Sequence, residues 1–168
     1  MRETLQTLLL LRDQGTLAQF AVGGAVAASF FIEAVATEDL DIFAFFKPSA
    51  SGLFVLTPLY DRLKQLGGIV QNEHIVLSGW PVQILPAYTP LVEAAVLAAV
   101  DRPFEDLAVP VVDAHYLCAI ALQTGRVKDY QRIYSLIEAG CVESTALKTL
   151  VETYQLQDRW STYVRRYL

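Results

Sequence analysis

Two aspartates separated by one residue, Asp39 and Asp41, are the side chains best suited to chemistry in this sequence. They begin an apolar, β-prone run that continues to Phe46. Alternate residues of a strand point to the same face, so the two carboxylates are expected side by side. One or two carboxylates, together with substrate phosphates, commonly bind Mg²⁺. An isolated Asp-x-Asp pair also suits the solvated start of a strand, so the neighbouring motifs decide between the two interpretations.

A glycine pair, Gly23-Gly24, follows the short apolar segment from Leu17 to Val22 and precedes an alanine-rich stretch from Ala25 to Val35. This order predicts a strand, a glycine turn and a buried helix. Backbone amides at such a turn face outward with no side chain in the way, and a triphosphate is an anion that would fit there. A tight turn without a ligand is the alternative interpretation.

Basic side chains near a later helix start are the third candidate feature. Arg126 and Lys128 are long cationic donors suited to phosphates, although a solvated helix end explains them as well. Asp129 is expected to cap or pair locally. His74 and His115 have no second histidine or cysteine at metal-ligand spacing, so both are predicted to be structural.

The first hundred residues predict the elements that would position these side chains. Helices are expected over 3–14 and 58–66, the second capped by Thr57, with a loop over 49–57 before it. Short strand-like runs follow at 69–70, 74–77 and 81–85, and the last two join across Ser78-Gly79 as a hairpin. A further helix over 91–100 begins after Thr89-Pro90.

The remainder of the chain predicts a helical half. Residues 101–110 contain Pro103 and Pro110 and are interpreted as a connector, and helices follow over 113–124, 128–139, 144–154 and 156–167. The expected organisation is therefore an α/β core (1–100), a connector (101–112) and a C-terminal helical subdomain (113–168). The fold class is α/β (α+β): a mixed sheet with packed helices, followed by a helical bundle.

Composition limits the class of protein. The chain has 168 residues, of which 54% are hydrophobic, which excludes disordered and low-complexity classes. Its net charge of -5 has the wrong sign for a protein that coats nucleic acid. The two cysteines, Cys118 and Cys141, lack the partners of a zinc site and are expected to be buried, reduced thiols. The apolar stretch 17–36 carries Gln19 and Glu33 and is interrupted by the glycine pair, so no membrane span is predicted. The polar start Met1-Arg2-Glu3-Thr4 shows no targeting peptide, and the cytoplasm is the expected location.

The order of these motifs resembles the minimal nucleotidyltransferase fold, the family of kanamycin nucleotidyltransferase and DNA polymerase beta. The resemblance rests on Ala21 to Gly24 followed by Asp39 to Ile42, and it looks closest to the bacterial abortive-infection toxin branch. Pro81 to Pro86 occupies the place of the family's third strand motif, and Tyr116-Leu117 through Arg126 to Asp129 resembles its helical segment.

The resemblance implies transfer of a nucleotide from a nucleoside triphosphate to a hydroxyl on a protein, RNA or small molecule, with Mg²⁺, and an antitoxin as a further partner. The roles it implies are triphosphate binding by a glycine turn, metal binding by two acids and charge neutralisation by two cations: Gly23 and Gly24, Asp39 and Asp41, Arg126 and Lys128 respectively.

Three positions depart from the family pattern. The third carboxylate falls at Gln83, which can neither accept a proton from a hydroxyl nor act as an anionic metal ligand. A lysine expected in the helical segment corresponds to Ala121, and an acid expected after Asp129 corresponds to Arg132. A catalytically silent nucleotide-binding or interaction module of the same fold is therefore a second hypothesis, and a structural α/β protein without a nucleotide site is a third.

Overall fold

A computed structural model describes residues 1–33, 36–46 and 56–167. This part of the chain contains seven strands in one mixed sheet, in the order β3-β4-β5-β2-β1-β7-β6. The strands are β1 (Phe20–Val22), β2 (Leu40–Ala44), β3 (Ile69–Gln71), β4 (His74–Leu77), β5 (Trp80–Pro86), β6 (Val100–Phe104) and β7 (Leu107–Val111).

Eight helices accompany the sheet within the same ranges. They are α1 (Arg2–Asp13), α2 (Gly24–Ala28), α3 (Thr57–Gln65), α4 (Pro90–Leu97), α5 (Ala114–Thr124), α6 (Val127–Glu138), α7 (Ser144–Thr153) and α8 (Gln157–Tyr167). None of the helices described is long and apolar enough to cross a membrane.

The central strands β1 and β2 form the middle of the core. Every residue of β1 is buried, and all of β2 is buried except Asp41. The two strands are antiparallel, whereas β2 pairs parallel with β5 and β1 parallel with β7, so the predicted mixed sheet is confirmed. The hairpin of β4 and β5 across Ser78-Gly79 is also confirmed.

Helix α5 joins the sheet to the helical half. It is buried on several sides and packs against α2 and α4 on one hand and against α6, α7 and α8 on the other. Helix α5 is capped by Asp113, whose carboxylate accepts from the His115 N–H, and it ends at the left-handed Gly125. The four predicted C-terminal helices are confirmed, and each of their ends lies within one residue of the predicted end.

The predicted connector, 101–112, is the main difference from the sequence prediction. It contains most of the β6–β7 hairpin, in which Phe104 pairs with Leu107, and β7 adds to the sheet where Val22 pairs with Val111. The two prolines favoured a loop, but β6 is an edge strand, and an edge tolerates the missing N–H of Pro103. Because Val100 begins β6, helix α4 also ends earlier than predicted, at Leu97.

Two further predictions are corrected at helix ends. The buried helix expected over 25–35 is shorter than predicted, because α2 ends at Ala28. The Ser29 hydroxyl donates to the Val26 carbonyl, and turns follow to residue 33. Residues 34 and 35 lie outside the described part. Thr57 is the first residue of α3 and not its cap, a position held by Leu56 without a side-chain hydrogen bond. Most of the predicted loop over 49–57 lies outside the described residues.

Candidate functional site

A cleft of about 880 Å³ lies between strands β2 and β5 of the sheet on one side and helices α5 and α6 on the other. All but one of the predicted site residues line it: Gly24, Asp39, Asp41, Gln83, Arg126 and Lys128. The exception is Gly23, which is buried behind the cleft surface. We call the side formed by Asp39, Asp41 and Gln83 the strand wall, and the side formed by Arg126, Lys128, Asp129 and Arg132 the helix wall.

The strand wall is built by the register of two neighbouring strands. Asp41 lies directly opposite Gln83 in the parallel pairing of β2 with β5. Asp39 precedes β2, and the Thr37 hydroxyl donates to its Oδ1 at 3.1 Å. Burial and the charge of Asp39 raise the pKa of Asp41, and the cations Arg132, Arg126 and Lys128 oppose that rise. Two carboxylates therefore face the cleft with repulsion between them that the cations only partly relieve.

The glycine pair permits the close approach of the Asp41 carboxylate. Gly24 has a φ of +58°, and a Cβ atom there would overlap Asp41 Oδ2. A Cβ atom on Gly23 would overlap the Phe43 ring, and the Gly23 N–H donates to the Asp41 carbonyl at 2.9 Å. Both glycines are thus required by packing around β2, and Gly24 alone reaches the cleft.

The helix wall is organised by a buried carboxylate. Asp129 is 1% exposed, and its Oδ2 accepts from Arg126 Nε at 2.7 Å while its Oδ1 accepts from Arg132 Nη1 at 3.4 Å. Hydrogen bonding to Asp129 raises the pKa of the Arg126 guanidinium, and the charges of Asp41 and Asp39 raise it further. The cations of the helix wall therefore lie across the cleft from the carboxylates of the strand wall, and the two sets of charges attract each other.

Asp129 and Arg132 are functional candidates that the sequence interpretation passed over. The sequence predicts that Asp129 pairs locally, which it does, and marks Arg132 only as a departure from the family pattern. The available signal was their spacing, because residues 126, 129 and 132 repeat every three positions and so lie along one face of a helix.

Gln83 has a neutral amide side chain, which does not ionise. Its side chain is half-buried, and its Nε2 donates to Glu73 Oε2 at 3.4 Å, from the turn that joins β3 and β4. The strand wall therefore presents two carboxylates beside an amide.

The two histidines differ in their surroundings. His115 Nδ1 lies 2.7 Å from Asp113 Oδ1, and its Nε2 accepts from the Glu143 N–H at 2.9 Å, so the ring links the start of α5 to the start of α7. His74 Nε2 lies 3.6 Å from Asp39 Oδ2 and has no hydrogen-bond partner among the residues described. Of the two cysteines, Cys118 is buried as predicted, and burial raises the pKa of its thiol to about 12, whereas Cys141 is only half-buried.

The two carboxylates of the strand wall suit a magnesium ion. Asp39 and Asp41 supply hard oxygen donors, and a cation between them would relieve the repulsion that raises the pKa of Asp41. Within the described ranges, no group of three or more His, Cys, Asp or Glu side chains is arranged to hold a metal ion. Two carboxylates completed by water and substrate phosphates are the arrangement that Mg²⁺ commonly accepts.

Comparisons with known proteins find likeness only at the level of structure. No family model matches the chain, and no curated protein matches it. The solution structure of the antibiotic-resistance factor ANT(2'')-Ia matches with a TM-score of 0.64 at 12% identity, covering 99% of this chain and 98% of that one. The crystal structure of ANT(2'')-Ia in complex with adenylyl-2''-tobramycin gives 0.57 at 13% identity, covering 98% and 97%.

A third match extends the likeness to another source. An antigenic nucleotidyltransferase-like protein from Paracoccidioides brasiliensis gives a TM-score of 0.56 at 14% identity, covering 96% of this chain and 90% of that one. All three matches span nearly the whole chain, sheet and helical half together. The chain therefore has the nucleotidyltransferase-like fold that its motifs predicted.

Proposed function

We propose that this protein transfers a nucleotide from a nucleoside triphosphate to an acceptor hydroxyl, with Mg²⁺. The observation that carries the proposal is the convergence, in one cleft of a nucleotidyltransferase-like fold, of a carboxylate pair and a set of cations that face it. The predicted motifs lie apart along the chain, but they line a single surface because β2, β5 and α6 meet at the cleft.

Each wall has a separate task in this proposal. Asp39 and Asp41 hold the metal ion, which when bound would neutralise phosphate charge as it develops. The surface at Gly24 allows a phosphate to approach the backbone, while Gly23 keeps the turn close to β2. Arg126 and Lys128 line the opposite side and neutralise the remaining phosphate charge.

The proposed step is an in-line displacement at the α-phosphorus. A bond forms between the acceptor oxygen and the α-phosphorus, the bond from that phosphorus to the bridging oxygen of the β-phosphate breaks, and pyrophosphate leaves. The acceptor hydroxyl loses its proton to solvent, because Gln83 provides no base at the position of the family's third carboxylate.

The acceptor is a hydroxyl on a protein, an RNA or a small molecule, and the crystal structure of ANT(2'')-Ia with adenylyl-2''-tobramycin makes a small molecule the first to assay. The toxin branch suggested by the motifs adds an antitoxin as a proposed partner. The cytoplasm is the proposed location.

A second candidate is a catalytically silent module that binds nucleotide or a protein partner through the same cleft. Gln83 favours it, since the amide removes both a base and an anionic ligand while leaving the two aspartates in place. A silent module that binds nucleotide therefore makes the same prediction for nucleotide binding as the transferase, and the opposite prediction for transfer.

Labelled nucleoside triphosphates, incubated with cell extract and purified protein with and without Mg²⁺, test the transferase. We expect label to be transferred by the wild type and lost in Asp39→Ala. The matched control is Asp13→Ala, which removes an exposed aspartate on α1, away from the cleft, and should leave transfer unchanged.

Binding of the same nucleotides, with and without Mg²⁺, separates the alternatives. Metal-dependent nucleotide binding without transfer would favour the silent module. Absence of nucleotide binding would contradict both nucleotide hypotheses. Gln83→Asp restores a third carboxylate beside Asp41 and should strengthen metal-dependent binding and raise transfer. Its effect on stability should be modest because Gln83 lines an open cleft.

A further inference from the structure

Asp129 has no acceptor capacity left for a ligand. Its Oδ2 accepts from Arg126 Nε at 2.7 Å and from the Arg126 backbone N–H at 3.2 Å. Its Oδ1 accepts from Arg126 Nη2 at 3.2 Å and from Arg132 Nη1 at 3.4 Å. A buried carboxylate with both oxygens occupied by donors can neither bind a metal ion nor take a proton from a substrate.

The two guanidinium groups, by contrast, keep donors that no partner within the described ranges occupies. Each carries five N–H groups, and Asp129 occupies only part of each set. The Arg126 side chain is 58% exposed and that of Arg132 is 15% exposed, and both line the cleft together with Lys128. The helix wall holds three cations against one buried carboxylate, which pairs with the two arginines, so it has a positive excess.

We infer that Asp129 is a positioning residue that holds Arg126 and Arg132 as a guanidinium pair, and that this pair with Lys128 binds the pyrophosphate portion of a nucleoside triphosphate. The inference deepens the proposed function, on which it rests, because the anion belongs to the same nucleotide. Planar guanidinium groups suit phosphate oxygens because each presents two parallel donors in a fixed geometry.

A simpler explanation for Asp129 is that it caps α6. Its carboxylate accepts from the Arg126 backbone N–H, as an acid at this position of a capping box does. Capping alone predicts a change in stability when Asp129 is replaced, without a specific loss of anion binding. Charge alone predicts tighter anion binding, because Asp129→Asn makes the helix wall more positive by one unit.

Calorimetric titration of the whole protein with inorganic pyrophosphate, in metal-depleted buffer, separates these explanations. We expect wild type to bind pyrophosphate, and Asp129→Asn to bind it roughly tenfold more weakly in spite of the added positive charge. Arg132→Gln should lose a similar factor. Arg132→Lys keeps the charge without the planar pair of donors and should fall between wild type and Arg132→Gln. Arg12→Gln, on the outer face of α1 and outside the cleft, is the matched control and should bind like wild type.

Equal or tighter binding by Asp129→Asn would overturn the positioning role, as would wild-type binding by Arg132→Gln. If Asp129→Asn fails to fold, the two Arg132 variants carry the test. Absence of pyrophosphate binding by wild type would overturn the inference even where Mg²⁺-dependent transfer is observed. Pyrophosphate binding without transfer would leave the inference standing and contradict the proposed function, so the two failures are distinct.

Discussion

Asp41 on the strand wall is a partly buried carboxylate and Asp129 on the helix wall is a fully buried one, and their surroundings differ. Asp129 is enclosed by donors from two arginines. Asp41 lies beside a second carboxylate, and burial together with that neighbour raises its pKa. One charge is matched inside the protein, while the other is only partly matched by cations across the cleft.

This difference separates a charge that is paired within the fold from one to which the proposed function assigns a ligand. A folded protein keeps a buried charge at low free energy by pairing it, as the helix wall does. An incompletely paired carboxylate lowers stability unless a cation binds, so a carboxylate of this kind in a cleft is a candidate for ligand binding. The comparison predicts opposite consequences when each acid is neutralised.

The largest effect is expected where the strand wall meets the glycine turn. Gly24→Ala puts a methyl group onto Asp41 Oδ2 at a φ of +58°, so it should abolish Mg²⁺-dependent nucleotide binding and destabilise the fold. Gly15→Ala is the matched control: its φ is +71° with open space around the Cβ position, so it should lose about 1–2 kcal/mol of stability from backbone strain and retain binding. Retained binding in Gly24→Ala would contradict the assignment of the strand wall.

Neutralising each acid tests the comparison directly. Asp129→Asn should lower the free energy of unfolding by about 1.5–3 kcal/mol, because hydrogen bonds to a charged acceptor are lost. Asp41→Asn should leave it equal to or above wild type in metal-free buffer, because it removes the repulsion with Asp39. Denaturant unfolding measures both, and the same sign for the two variants would refute the distinction.

A smaller effect is expected in the pH dependence of stability. The ordinary pKa of Asp41 is 3.8, and it is raised in the folded state. Above pH 3.8 the unfolded chain therefore binds fewer protons at this site than the folded chain. The Asp41 contribution should then fall as pH rises through the folded pKa, and level off above it. The difference in unfolding free energy between wild type and Asp41→Asn, measured without metal, should follow that course. Saturating Mg²⁺ should reduce the difference.

The smallest effect tests whether an unmatched polar group outside the cleft also has a binding role. The Tyr163 side chain on α8 is fully buried, its hydroxyl has no hydrogen-bond partner in the part of the chain described, and burial raises its pKa to about 12. Tyr163→Phe should leave pyrophosphate and nucleotide binding unchanged and raise the unfolding free energy by up to about 1 kcal/mol. Tyr134→Phe, at an exposed position on α6, should change stability by less than about 0.5 kcal/mol. A marked fall in stability in Tyr163→Phe would indicate an unseen partner.

The sequence alone was enough to predict the elements whose conformation depends on residues close to one another along the chain. The sequence predicted all four C-terminal helices, and the turn residues Ser78-Gly79 predicted the hairpin of β4 and β5. The alternation of Asp39 and Asp41 predicted that the two acids would share a face, because the geometry of a strand requires no partner to be known.

Tertiary structure decided what depends on neighbours distant in the chain. The segment 101–112 becomes part of the sheet only because β1 offers an open edge to β7, which outweighs the loop preference of its prolines. Gly24 is required by the Asp41 carboxylate, which lies 17 positions further along the sequence. The task of Asp129 depends on where α6 packs, since the same Arg-Asp-Arg spacing on an isolated helix would be a solvated ion pair of little consequence. Burial of α6 against α5, α2 and α8 gives that spacing its effect, because pairing becomes obligatory once water is excluded.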